Sequence, residues 1–156
     1  MNETTNCAEK LDKMNKGVAW GMLVCGVTFL IIAAEKVVEP GQLNSVLDFA
    51  GGFGAMVTLV ITFTACYPVI KMLLSGNTQI KKENESFMSN TMNTSFKNSW
   101  IITMMFLVII LSLQNIIDGL NIAPSFYFVL LFGFMTLSAA INFLYLSRDD
   151  DSEHES

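Results

Sequence analysis

Apolar residues do not alternate with polar ones along this chain; they gather into four long runs separated by shorter polar stretches. The runs cover about 17–38, 47–74, 100–117 and 125–146. A helix needs about 20 mainly apolar residues to cross a hydrocarbon layer roughly 30 Å thick, at about 1.5 Å per residue. Each run meets that requirement. Each is expected to be helical throughout, because backbone polar groups in lipid must be paired within their own segment. Pro68, following Tyr67, predicts a kink near the end of the second run. The pattern therefore predicts an all-α integral membrane protein with four transmembrane helices arranged as two antiparallel hairpins.

The same pattern divides the chain. Residues 1–16 form an N-terminal polar segment, 17–74 the first hairpin and 75–99 a long connection. Residues 100–146 form the second hairpin and 147–156 an acidic tail, which is too charged to fold and is expected to be disordered. The connection is rich in Asn, Ser, Thr and Lys, with Met88, Met92, Phe96 and Trp100 at four-residue spacing. That spacing predicts a helix that either lies on the membrane surface or extends the third span inward.

Composition agrees with this reading. Of 156 residues, 52% are hydrophobic and 15% charged, against about 25% charged in ordinary soluble domains. The 14 acids and 9 bases sit almost wholly outside the runs, which excludes a soluble core built from amphipathic helices. A net charge of -5 gives no reason to expect a nucleic-acid partner. A cleaved signal peptide is the rival reading of the first run, with Lys10, Lys13 and Lys16 as a basic leader and Ala33-Ala34 as a small-residue site. The run is longer than the usual 7–15-residue signal core, however. Cys25 also follows the bulky Val24, unlike a lipoprotein cysteine.

Charge sets the expected orientation. Four spans place residues 1–16, the middle connection and the tail on one side. Eight of the nine basic residues belong there: Lys10, Lys13, Lys16, Lys71, Lys81, Lys82, Lys97 and Arg148. Only Lys36 lies opposite. Lys and Arg are retained in the cytoplasm, so both termini are expected there. The plan is that of small multi-pass proteins of a bacterial inner membrane, which sets the expected location. The outer face carries two short turns, around Glu39-Pro40-Gly41 and Asp118-Gly119, together with Glu35 and Asp48. These carboxylates read as solvated helix ends. The N-x-S/T matches beginning at Asn2, Asn84 and Asn93 all fall on the cytoplasmic side, so glycosylation is not expected.

The two hairpins suggest a parallel internal repeat. A shift of 79 positions aligns Phe49, Phe53, Gly54 and Met56 with Phe128, Phe132, Gly133 and Met135. The same shift pairs Glu35-Lys36-Val37-Val38-Glu39 with Gln114-Asn115-Ile116-Ile117-Asp118.

Packing candidates stand out in the first hairpin. Ala50, Gly54, Thr58, Thr62 and Cys66 recur every four residues, broadened by Gly51 and Ala55, and Gly17, Gly21 and Cys25 form a shorter stripe. Small residues let helix backbones approach closely in lipid; the two stripes are expected to face each other, with an oligomer interface as the competing use. The second hairpin carries Thr103, Ser112, Gln114 and Asn142. The Asn142 amide is expected to face another helix and find a hydrogen-bond partner, since an amide against lipid is unfavourable.

No catalytic, cofactor-binding or metal-ligating set emerges. The single histidine, His154, lies in the tail, so haem ligation inside the bundle is not expected. Cys7, Cys25 and Cys66 stand apart and form no redox pair. There is no three-ligand zinc set and no glycine-rich phosphate loop. Proton-coupled transport needs a titratable group within the membrane, and Glu35, about three residues from the outer end of the first run, comes closest. The expected role is therefore association in the bilayer, as a non-enzymatic accessory subunit or regulator, through a homo-oligomer or a membrane-protein partner. The alternative is a small transporter or channel with Glu35, Gln114 and Asn142 near its path.

Overall fold

The computed structural model describes the backbone of residues 2–74, 87–113 and 122–153, and the regular structure among them is entirely helical. Four helices follow one another: α1 (Asn2–Glu35), α2 (Gln42–Leu74), α3 (Phe87–Ser112) and α4 (Pro124–Glu153). Each is long and apolar enough to cross a membrane, over Lys10–Glu35, Gln42–Lys71, Ser89–Ser112 and Pro124–Arg148. Gln114, the end of the third apolar run, the Asp118-Gly119 turn and residues 75–86 lie outside the described residues.

The helix ends have local causes. After Glu35 the chain closes α1 with tight bonds, Lys36 N–H to the Ala33 carbonyl at 3.2 Å and Val37 N–H to the Ala34 carbonyl at 3.1 Å. Pro40 then prevents continuation. The Asn44 side-chain amide reaches back to donate to the Glu35 carbonyl at 3.1 Å, satisfying one of the acceptors that a helix C-terminus leaves open. Pro124 occupies the first position of α4, where its missing N–H is no loss.

All four helices extend further than the apolar runs, α2 by five residues at its start, Gln42. α1 takes in most of the N-terminal segment. α4 continues past Arg148 to Glu153, where charge alone predicts a disordered tail. α3 begins at Phe87, so the polar stretch before Trp100 and the apolar run after it form one continuous helix. From Phe87 onward the connection continues directly into the third span as one helix.

α1 is the hub. It packs along α2 on one side and along α4 on another, while α3 rests mainly on α4 and touches α1 lightly. Among the described residues α2 makes no comparable contact with α3 or α4. Among the described residues the bundle is thus a trio, α1, α3 and α4, with α2 attached chiefly through α1.

The registers are antiparallel. A Cβ added to Gly17 would lie 2.5 Å from the Ala65 Cβ, one at Gly21 would meet the Thr62 hydroxyl at 2.6 Å, and Gly54 lies against Thr28. Rising numbers on α1 therefore meet falling numbers on α2. Along α4, Gly26 abuts Leu137 and Gly133 abuts Phe29 and Leu30, while Ala19 joins Phe143 in the core, with Met92 of α3 packed beside them.

A second small-residue seam joins α1 to α4. Ala19, Gly26 and Ala33 are buried on α1 at seven-residue spacing, and Gly133, Ala140 and Ser147 are buried on α4 at the same spacing. Seven residues return to nearly the same face of a helix. Gly26 is the tightest point: an added Cβ would lie 2.8–2.9 Å from the Leu137 backbone nitrogen and Cα. The glycines aligned by the suggested repeat thus have unlike surroundings. Gly54 closes its own hairpin onto α1, whereas Gly133 crosses to α1 from the other hairpin.

Candidate functional site

Polar groups concentrate where α3 meets α4. Thr91, Ser95, Ser99 and Thr103, one residue before the Met92, Phe96 and Trp100 series, occupy the buried stripe of α3. Ser99 is 1% exposed. Its hydroxyl lies 2.6 Å from the Met135 carbonyl and 2.7 Å from the Ser138 hydroxyl of α4. Two of the others bond within their own helix: Ser95 donates to the Thr91 carbonyl at 2.8 Å and Thr103 to the Ser99 carbonyl at 2.7 Å. Small hydroxyls suit this position because they admit close backbones and satisfy themselves without water. Phe106 and Phe134 continue the seam as a ring pair 4.5 Å apart.

Phe96 and Trp100, by contrast, are about half exposed and turn outward. They flank Lys97 at the rim of a groove of about 350 Å³ between α1, α3 and α4, within the roughly 300–1,000 Å³ typical of small-ligand pockets. Met22 of α1 and Met135, Thr136 and Ala139 of α4 form its wall. The Thr136 hydroxyl is already engaged with the Phe132 and Gly133 carbonyls at 2.8 and 3.1 Å.

The depth of Lys97 follows from register. Ser99 sits between Met135 and Ser138 and Gly26 beside Leu137, so Lys97 is level with Ala139 and with about Val24 of α1. That is eight residues inward from Lys16, or about 12 Å. Sequence pattern assigns Lys97 to a cytoplasmic connection; the structure sets it beside the apolar parts of α1 and α4. The correction has a physical reason. The seam residues of α3 are small hydroxyls with low hydropathy, so a run defined by hydropathy alone starts too late. Asn93, Thr94 and Lys97 share the exposed face of that same stretch.

The residues singled out by spacing are placed as follows. Gly17, Gly21, Gly54 and Thr62 lie on the α1–α2 seam. Cys25 and Thr58 line a groove of about 280 Å³ along it, and Ala50 lines another of about 430 Å³ on its other flank. Cys66 is a half-buried free thiol on α2. Gly26, Gly133 and Ala140 escape the four-residue pattern but are visible at seven. Glu35 ends α1. The Asn142 amide donates to the Ser138 carbonyl of its own helix at 2.8 Å, so its bond runs back along α4 and not across to a neighbour. Glu35 and Asn142 are not brought together: Asn142 is level with about Gly21, some 20 Å along the axis from Glu35. Among the described residues no three His, Cys, Asp or Glu side chains group as metal ligands. The chain matches no known protein family, no curated protein and no solved structure.

Proposed function

We propose that this chain acts by association within a membrane, as a non-enzymatic accessory subunit or regulator of a membrane-protein partner or of a second copy. The reading includes both termini in the cytoplasm of a bacterial cell and the inner membrane as location, on the strength of the basic-residue asymmetry. One observation carries it: α2 is held by a single seam to α1 and presents the rest of its circumference outward. Phe49, Phe53, Met56, Val60, Phe63 and Tyr67 are exposed there. Gly52 stands among them with nothing within 4 Å of an added Cβ, an open position at which another helix backbone could approach closely.

The test is a photo-crosslinking residue at Met56 or Phe63 of the full chain in its native membrane. A discrete protein adduct, abolished by Gly52→Leu, is the expected outcome. Recovery of uncrosslinked monomer alone would overturn the proposal. The transporter reading is not favoured, since Glu35 and Asn142 lie about 20 Å apart along the axis and are not brought into one site.

A further inference from the structure

We infer that the groove between α1, α3 and α4 is a binding site for an anionic phospholipid, whose phosphate rests on the Lys97 ammonium and whose acyl chain follows the apolar wall. This goes beyond the association reading, which concerns α2 on the opposite side of α1.

Four observations carry it. The groove opens sideways, because its rim residues Phe96, Lys97 and Trp100 are exposed, so an occupant enters from the lipid. Its wall is apolar apart from two hydroxyls, and both are committed: Ser99 to α4 and Thr136 to its own helix. Lys97 is thus the group left to select an occupant, and among the described residues no carboxylate lies within ion-pairing reach of it. Its level, about 12 Å inward of Lys16, places a cation where the membrane strongly disfavours one without a counter-charge.

Direction completes the case. Side chains on a helix lean toward its N-terminus. On α3 that is the end carrying Asn90 and Asn93, level with the basic residue Lys16. Lys97 therefore leans toward the headgroup layer, past Thr94 and Asn93 on the same exposed face, whose amide and hydroxyl are suited to phosphate oxygens. Snorkelling of this kind is the usual way a membrane lysine meets anionic headgroups. A second copy fits poorly, because a symmetric dimer across this face would bring two Lys97 ammonium groups together at low dielectric.

The full chain, purified in mild detergent, is titrated with phosphatidylglycerol and with phosphatidylcholine, and bound lipid is counted by native mass spectrometry. Retention of phosphatidylglycerol at least ten-fold above phosphatidylcholine is expected. Lys97→Gln should remove about ten-fold of that preference, and Lys97→Arg should keep it. Lys97 is exposed, so neither variant threatens folding, and an unchanged thermal midpoint verifies this. Equal binding of the two lipids, or an unaltered preference in Lys97→Gln, would overturn the site. Inorganic phosphate displacing phosphatidylglycerol at equal concentration would also overturn it, because the acyl chain would then contribute nothing. So would a protein adduct from a crosslinker placed at Lys97 in native membranes, since a partner would then cover the groove.

Discussion

Gly26 and Gly52 are chemically identical and sit in apolar helices, yet substitution should act on them in opposite directions. At Gly26 a methyl group would press on Leu137 backbone atoms at 2.8–2.9 Å, and backbone cannot rotate away. Overpacking of this kind costs about 1–3 kcal/mol, more than the helix-propensity gain of about 1 kcal/mol for Gly→Ala. Gly26→Ala should therefore lower the thermal midpoint of the detergent-solubilised protein. Gly52→Ala meets nothing within 4 Å and should leave the midpoint unchanged or raise it by a few degrees. A pair of shifts with the same sign would show that the α1–α4 contact is looser than described. Ser99→Ala removes the hydroxyl shared with Met135 and Ser138; bonds of this type are worth about 0.6 kcal/mol, with a ceiling near 1.7. A double-mutant cycle with Ser138→Ala reads that coupling directly.

At the scale of helices, the existence and chemistry of the four elements were legible from hydropathy, and the α1–α2 seam from four-residue spacing of small residues. Gly17, Gly21 and Gly54 announce themselves because their stripes are unbroken. The α1–α4 seam was less visible for a definite reason. Ala19, Gly26 and Ala33 recur at seven, and the positions between them hold large residues such as Met22, Phe29 and Leu30 that pack around the contact. α3 was the hardest to read. Hydropathy scores a serine as polar wherever it lies, but Ser95 and Ser99 are 0% and 1% exposed because their hydroxyls are paired within the protein. The start of α3 was accordingly set too late, and Lys97 was counted with the connection. Asn142 finds its hydrogen-bond partner one turn back in its own helix, the Ser138 carbonyl, which residue type alone does not specify.

For the whole molecule, the antiparallel registers bring the start of α1 and the end of α4 to the same end of the bundle, whichever side of the membrane that is. The proposed orientation can be checked with reporter fusions at residues 40, 90 and 156: position 40 should report outside and the other two inside. A reversed pattern would move every basic cluster to the outer face and refute the orientation. The three-plus-one architecture makes a separate prediction. Because α2 packs chiefly on α1 among the described residues, Gly17→Leu with Gly54→Leu should free α2 while leaving the α1–α4 contact in place. A cysteine pair introduced at Ala19 and Phe143 should still crosslink in that variant, whereas a pair at Gly21 and Thr62 in the Gly17→Leu, Gly54→Leu background should not.

The α1–α4 seam bears on how the protein is made. α1 is synthesised before α4, and the surface formed by Ala19, Gly26 and Ala33 is matched mainly by α4. At roughly 5–20 residues per second, the intervening 90 or so residues take about 5–20 s, during which that surface faces lipid or the insertion machinery. The first two helices can pair at once; the second stripe of α1 has to wait. The same dependence implies that the chain can be divided. Residues 1–74 and 75–156, expressed as separate polypeptides in one membrane, should find each other through this seam and co-purify. Gly26→Leu in the first fragment should abolish their recovery.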